Sequence, residues 1–153
     1  MFIEIKPIPP IDFRHAADGD VDFLYALHVA TMKEYVDQTW GWDDAFQESV
    51  FRKNYIPAEI QIITLAGKDV GMISLEERAE DVFLRVIEIH PKYQQQGLGT
   101  TIIRQIIADA THHKKRVSLR VLKVNPAKRL YDRFGFLVIE ETPTHYIMMT
   151  SLS

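Results

Sequence analysis

Apolar and polar positions change period several times along the chain, and each change marks an element. Val86, Ile87 and Ile89 form a β-branched run that suits a buried strand. Pro91 lacks an N–H and ends that ladder. Beyond a polar loop, Leu98, Ile102, Ile103, Ile106, Ile107 and Ala110 recur at helical spacing and predict one apolar face. Upstream, Leu24, Leu27, Thr31 and Tyr35 predict a helix from Asp20, capped by Asp18 or Asp20. Asp43 is placed to cap a second helix reaching about Tyr55.

Short β-rich runs fill the rest. Residues 1–10, with Pro7, Pro9 and Pro10, suit an extended lead-in, and residues 11–16 a first strand. Residues 60–66, 70–77 and 81–89 read as an antiparallel meander, with a hairpin turn over 67–71. After the long helix, residues 117–121 make a strand parallel to the one ending at Ile89, by a strand–helix–strand crossover. Asn125 and Pro126 cap a further helix, Gly135 suits the position just past its end, and residues 136–140 and 146–150 close the sheet. The pattern predicts a single α/β (α+β) domain over residues 1–153. Its sheet is mixed, mostly antiparallel and six- to seven-stranded, with helices on both faces.

Bulk properties narrow the chemistry. The apolar fraction is 46%, the charged fraction 25% and the formal charge −3, ordinary for a globular protein and no invitation to nucleic acid. No cysteine is present, which excludes disulfides and thiolate catalysis. No apolar run is long enough to span a membrane, and the N-terminus lacks the marks of a signal peptide. A cytoplasmic location is the default expectation, and a homodimer is left open. His112 and His113 point apart on a helix end, so no metal site is expected there.

Two stretches carry candidate chemistry. Gln94 to Gly99 spells Q-x-x-G-x-G between a strand and a helix. Glycines let backbone amides approach a ligand, and a helix N-terminus presents unpaired N–H groups, so the loop suits a phosphate or pyrophosphate. It is neither a Walker loop, lacking Gly-Lys-Ser/Thr, nor a Rossmann loop, which follows the first strand. The second stretch runs from Tyr35 to Glu48, where Trp40 and Trp42 flank Gly41. Nearby, Glu34, Asp37, Asp43, Asp44 and Glu48 face a single cation, Lys33. Either the tryptophans pack under a helix start whose acids are solvated, or Tyr35, Trp40, Trp42 and Asp43 wall a cationic amine.

Strand, Pro91, Q-x-x-G-x-G and apolar helix together resemble the acetyl-CoA motif of the GNAT acyltransferases. A second stretch, N-x-A-x-x-L-Y-x-x-x-G-F in this chain, looks like the later acyl-CoA motif of that superfamily. It places Asn125, Leu130, Tyr131, Gly135 and Phe136 in order, about 30 residues after the loop. The resemblance covers roughly residues 11 to 150 and implies a splay between two central parallel strands.

It further implies acetyl-CoA as cosubstrate and a primary amine as acceptor, by direct attack in a ternary complex. By resemblance, the backbone of Ile89 pairs with the pantetheine arm and the amides of Gln95, Gln96, Gly97, Leu98, Gly99 and Thr100 hold the pyrophosphate, with Gln94 shaping the loop. Asn125 either hydrogen-bonds near the arm or only caps its helix; Tyr131 either protonates the leaving thiolate or is simply packed. Glu88 is the first candidate base, unless strand alternation turns it away; His145 is a second. Arg129, Arg133 and Lys128 stand near the outer phosphates or on a solvated face. The acidic, aromatic stretch favours a small cationic acceptor. A protein amine and a non-catalytic acyl-CoA sensor or subunit are the alternatives.

Overall fold

In the computed structural model, which describes residues 1–152, the chain opens with β1 (Ile11–His15) and two helices, α1 (Val21–Trp40) and α2 (Asp44–Lys53). The meander follows as β2 (Gln61–Leu65), β3 (Lys68–Glu77) and β4 (Asp81–Ile89). Helix α3 (Leu98–His112) crosses to β5 (Arg116–Leu122), and α4 (Ala127–Arg133) leads to the hairpin of β6 (Leu137–Glu141) and β7 (His145–Met149). All seven strands join one sheet in the order β1-β2-β3-β4-β5-β7-β6. Only β4 and β5 are parallel, as the crossover requires.

Each sheet face has its own core. On one, Ile102, Ile103 and Ile106 of α3 pack on Ile63, Ile73, Leu84, Leu119 and Phe136. On the other, Leu24 and Leu27 of α1 cover Ile62 and Met72. Full burial of each such side chain contributes about 1.5–3 kcal/mol. Helix α2 buries no residue of its own, and its Phe51 ring packs against Tyr25 and His28 of α1. No helix among the described residues is long and apolar enough to cross a membrane.

Two local departures from the pattern matter for the site. The β2–β3 turn is tighter than expected: Ala66 and Gly67 take left-handed φ values of 50° and 82°, and β3 already begins at Lys68. Such a two-residue turn matches strand twist. Gly71 therefore lies inside β3, where a Cβ would stand 2.4 Å from the Glu88 carbonyl oxygen. Its glycine permits close approach of two strands rather than a turn.

The other departure is a bulge. Leu75 pairs with Leu84 but Ser74 pairs with Val86, which leaves Arg85 as an extra residue in β4. A bulge resets side-chain alternation. Leu84 belongs to the α3-side core while Val86 packs on the α1 side, so Glu88 also turns toward α1. Pairing of β4 with β5 spans only Asp81–Leu84 against Arg116–Leu119, and from Arg85 onward β4 has no partner on that side. The expected splay begins at the bulge.

Candidate active site

A cavity of about 440 Å³ occupies the splay. Its floor is Ile87, Glu88 and Ile89; α1 supplies Thr31, Met32 and Tyr35; α4 and its leading loop supply Asn125, Pro126, Leu130, Tyr131 and Arg133. The loop before α3 closes one end. There Pro91–Tyr93 make a 3-10 turn, and Gln94 Nε2 donates to the Ile89 carbonyl at 2.9 Å, tying loop to strand. Gln95 and Gly97 take φ values of 64° and 80°, which bend the backbone into the helix. Helix α3 then starts with its first amides lacking intrahelical partners. Of the residues expected around acetyl-CoA, Ile89, Gln94, Gln95, Gly97, Leu98, Gly99, Thr100 and Asn125 line this cavity, and Gln96 does not.

Glu88 is 8% exposed. His28 Nδ1 lies 2.9 Å from one carboxylate oxygen, and Thr31 Oγ1 donates to the other at 2.8 Å. Thr31 lines the large cavity, whereas His28 lines a second one of about 240 Å³ between α2 and the β3–β4 ribbon. Glu88 borders both. The carboxylate thus stands in a partition, with an ordered partner on each side.

Tyr131 is buried beside Phe136, ring centroids 5.7 Å apart, and burial pushes its phenol up to about 12. It holds its proton throughout the neutral range. Asn125 Oδ1 accepts from the Ala127 amide at 3.0 Å, the bond of a helix cap, while the residue also faces the cavity. His145 sits at the start of β7, with Nδ1 2.8 Å from Thr144 Oγ1. Burial, then the charge of Arg120, lowers its pKa and favours neutral imidazole.

The acidic, aromatic stretch is divided among several jobs. Tyr35 lines the large cavity. Trp40, 61% exposed, places its ring 5.9 Å from His145. Trp42 donates to Asp44 Oδ1 at 2.7 Å and stands 6.4 Å from the His28 ring. Lys33 Nζ lies 5.9 Å from the Trp42 centroid and 3.6 Å from Asp44. Asp43 Oδ1 accepts from the Phe46 amide at 2.8 Å and so caps α2. Lys33 is therefore a cation already in the wall. Lys128 pairs with Asp132 at 3.0 Å, whereas Arg133 faces the large cavity.

His28 was not anticipated as a site residue. It lies one helical turn before Thr31 on α1, and a carboxylate on an otherwise apolar strand needs partners. That need was the available signal. Ser74 was also missed: it is 2% exposed, and its Oγ has no hydrogen-bond partner among the described residues.

A sequence model described as the acetyltransferase (GNAT) family matches residues 21–136. No curated protein sequence matches the chain. Among solved structures, the PaiA N-acetyltransferase of Thermoplasma acidophilum in complex with coenzyme A is similar at 19% identity and a TM-score of 0.71, covering 92% of this chain and 98% of that one. The ribosomal-protein-S18-alanine N-acetyltransferase of Escherichia coli is similar at 20% identity and 0.64, covering 94% of each chain. Arabidopsis thaliana Naa50 in complex with the bisubstrate analogue CoA-Ac-MVNAL is similar at 15% and 0.61, covering 92% and 98%. At these identities the likeness is one of fold.

Proposed function

The chain belongs to the acetyltransferase (GNAT) family, and from that premise we propose that it moves an acetyl group from acetyl-CoA directly to the primary amine of a small molecule, with Glu88 taking up the amine's proton. The carrying observation is the place of Glu88, buried in the partition between two cavities and held by His28 and Thr31. The larger cavity fits the donor. Amides at the start of α3 and the Gly97 turn suit a pyrophosphate, and the edge of β4 that β5 leaves uncovered from Arg85 onward suits an amide-bearing arm. The smaller cavity fits the acceptor.

An aliphatic ammonium, ordinarily near pKa 10.4, must lose a proton before its nitrogen can attack. Glu88 receives it, while the His28 and Thr31 bonds fix the carboxylate's orientation. The nitrogen then bonds to the thioester carbonyl carbon, the C–S bond breaks, and a second amine proton is released as the amide forms. Tyr131 keeps its proton and offers a hydrogen bond to the departing thiolate, stabilising charge that exists only late in the reaction. A phenol near 12 is too weak an acid to surrender that proton outright to a thiol of ordinary pKa about 8.5. The thiolate therefore ends with a proton drawn from the amine. With no cysteine in the chain, no Cys-linked acyl-enzyme forms.

Tyr35 lines the larger cavity, and the Trp42 ring stands 6.4 Å from that of His28 without lining the smaller one. A singly charged amine suits this wall, since Lys33 and the α2 cap engage Asp44 and Asp43. Thiol release from acetyl-CoA with Glu88→Gln tests the assignment. A loss of turnover of about 100-fold with acetyl-CoA KM little changed is expected; unchanged turnover would remove Glu88 from the chemistry.

A further inference from the structure

We infer that the smaller cavity takes the body of the acceptor, and that this body is apolar with one hydrogen-bonding group at its far end. The inference rests on the proposal that Glu88 receives the amine proton. Val50 and Phe51 of α2 face Met72 and Val86 of the sheet across this space. An apolar cavity of about 150 Å³ admits benzene, so about 240 Å³ accommodates an aryl ring or a short alkyl chain.

Charge selects against a polyamine. Glu88 is the one carboxylate lining the cavity among the described residues, and it is engaged by His28. Arg85 Nη1 is paired with Glu59 at 2.8 Å, and the Tyr55 hydroxyl donates to the Ala17 carbonyl at 2.5 Å. A second ammonium would enter beside Arg85 and find no free acid. Ser74 lines the same cavity, and its buried Oγ has no hydrogen-bond partner among the described residues.

Strand register fixes the span. Ser74 is opposite Val86, so Glu88 is its diagonal neighbour on the same face. Such neighbours are about 7–8 Å apart, the length of a two-carbon amine on a para-substituted ring. Val50, 38% exposed at the mouth on a helix with no buried residue, would be covered by that occupant.

Calorimetric titration of the coenzyme A-saturated protein with tyramine, 2-phenylethylamine and 1,6-diaminohexane tests this. Both aryl amines should bind at least about ten-fold more tightly than the diamine. Ser74→Ala should weaken tyramine about five- to ten-fold, one hydrogen bond's worth, and leave 2-phenylethylamine unchanged. Ser74→Val, which adds bulk, should weaken both. Melting curves of the two variants establish that they are folded. Tighter binding of the diamine, or indifference of both aryl amines to both variants, would overturn the inference. Thiol release with the same amines separates the two proposals. Aryl amines that bind but never turn over would remove the proton-acceptor role and keep the pocket, whereas turnover of the diamine without aryl binding would do the reverse.

Discussion

His28 Nδ1 and Glu88 Oε2 lie 2.9 Å apart, joining the middle of α1 to the end of β4 across the partition between the two cavities. A positioning residue should move kcat more than binding. His28→Ala is expected to lower kcat about ten-fold, less than Glu88→Gln, and to leave acetyl-CoA KM within two-fold. His28→Asn, whose amide nitrogen stands where Nδ1 does and can still donate, should recover part of the loss. Equal falls in kcat and acetyl-CoA affinity would instead mark a purely structural contact.

Tyr131 is held protonated by burial. Tyr131→Phe should lower kcat by about 10²-fold while the chain stays folded. Its folded pKa, about 12, exceeds its ordinary value of 10.0. The neutral phenol's preference for the folded state is therefore fully present below pH 10 and lost as pH rises toward 12. Difference absorbance should show no ionisation of this tyrosine near pH 10 in the native protein.

Gly71 sets the spacing of β3 and β4 beside the carboxylate. Gly71→Ala would place a methyl 2.4 Å from the Glu88 carbonyl oxygen, which is backbone and cannot swing aside. A stability loss of about 1–3 kcal/mol is expected by urea unfolding. Turnover should fall as well, because β4 carries Glu88 with it.

Asp43 tests the division of the acidic stretch. As the cap of α2, Asp43→Ala should cost about 1 kcal/mol locally, read as about five-fold faster hydrogen exchange at the Phe46 amide. Acetyl-CoA KM should not change.

Acid stability has a named contributor. Arg14 makes two bonds to Asp20, of 2.9 and 3.0 Å, and also holds Asp69. The Arg14 hydrogen bond keeps the Asp20 carboxyl below its ordinary 3.8. Stability from a depressed carboxyl is complete above 3.8 and is lost as pH falls through the lower folded value. Asp20→Asn should destabilise at pH 7 by about 1 kcal/mol or less, given the pair's exposure, and the difference from wild type should vanish in strong acid.

Much of this was legible in the chain. Periodicity located α1 and α3, and Asn125 with Pro126 located the start of α4, because each element states its core face or cap in its own residues. The crossover rule supplied the parallel pair. The facing of Glu88 could not be read, since the Arg85 bulge breaks the period of two, and a bulge depends on how two strands register. Gly71 reads as turn chemistry in the sequence, because a glycine that admits a neighbouring strand looks the same there as one that reverses the chain. His28 and Ser74 were hidden for a similar reason: their roles come from residues 60 and 12 positions away, Glu88 and Val86.

Direct transfer is tested most simply by initial rates of thiol release, with acetyl-CoA varied at several fixed concentrations of an accepted amine. Transfer within a ternary complex gives double-reciprocal lines that intersect. Parallel lines, the mark of an acetylated enzyme formed before the amine binds, would contradict it.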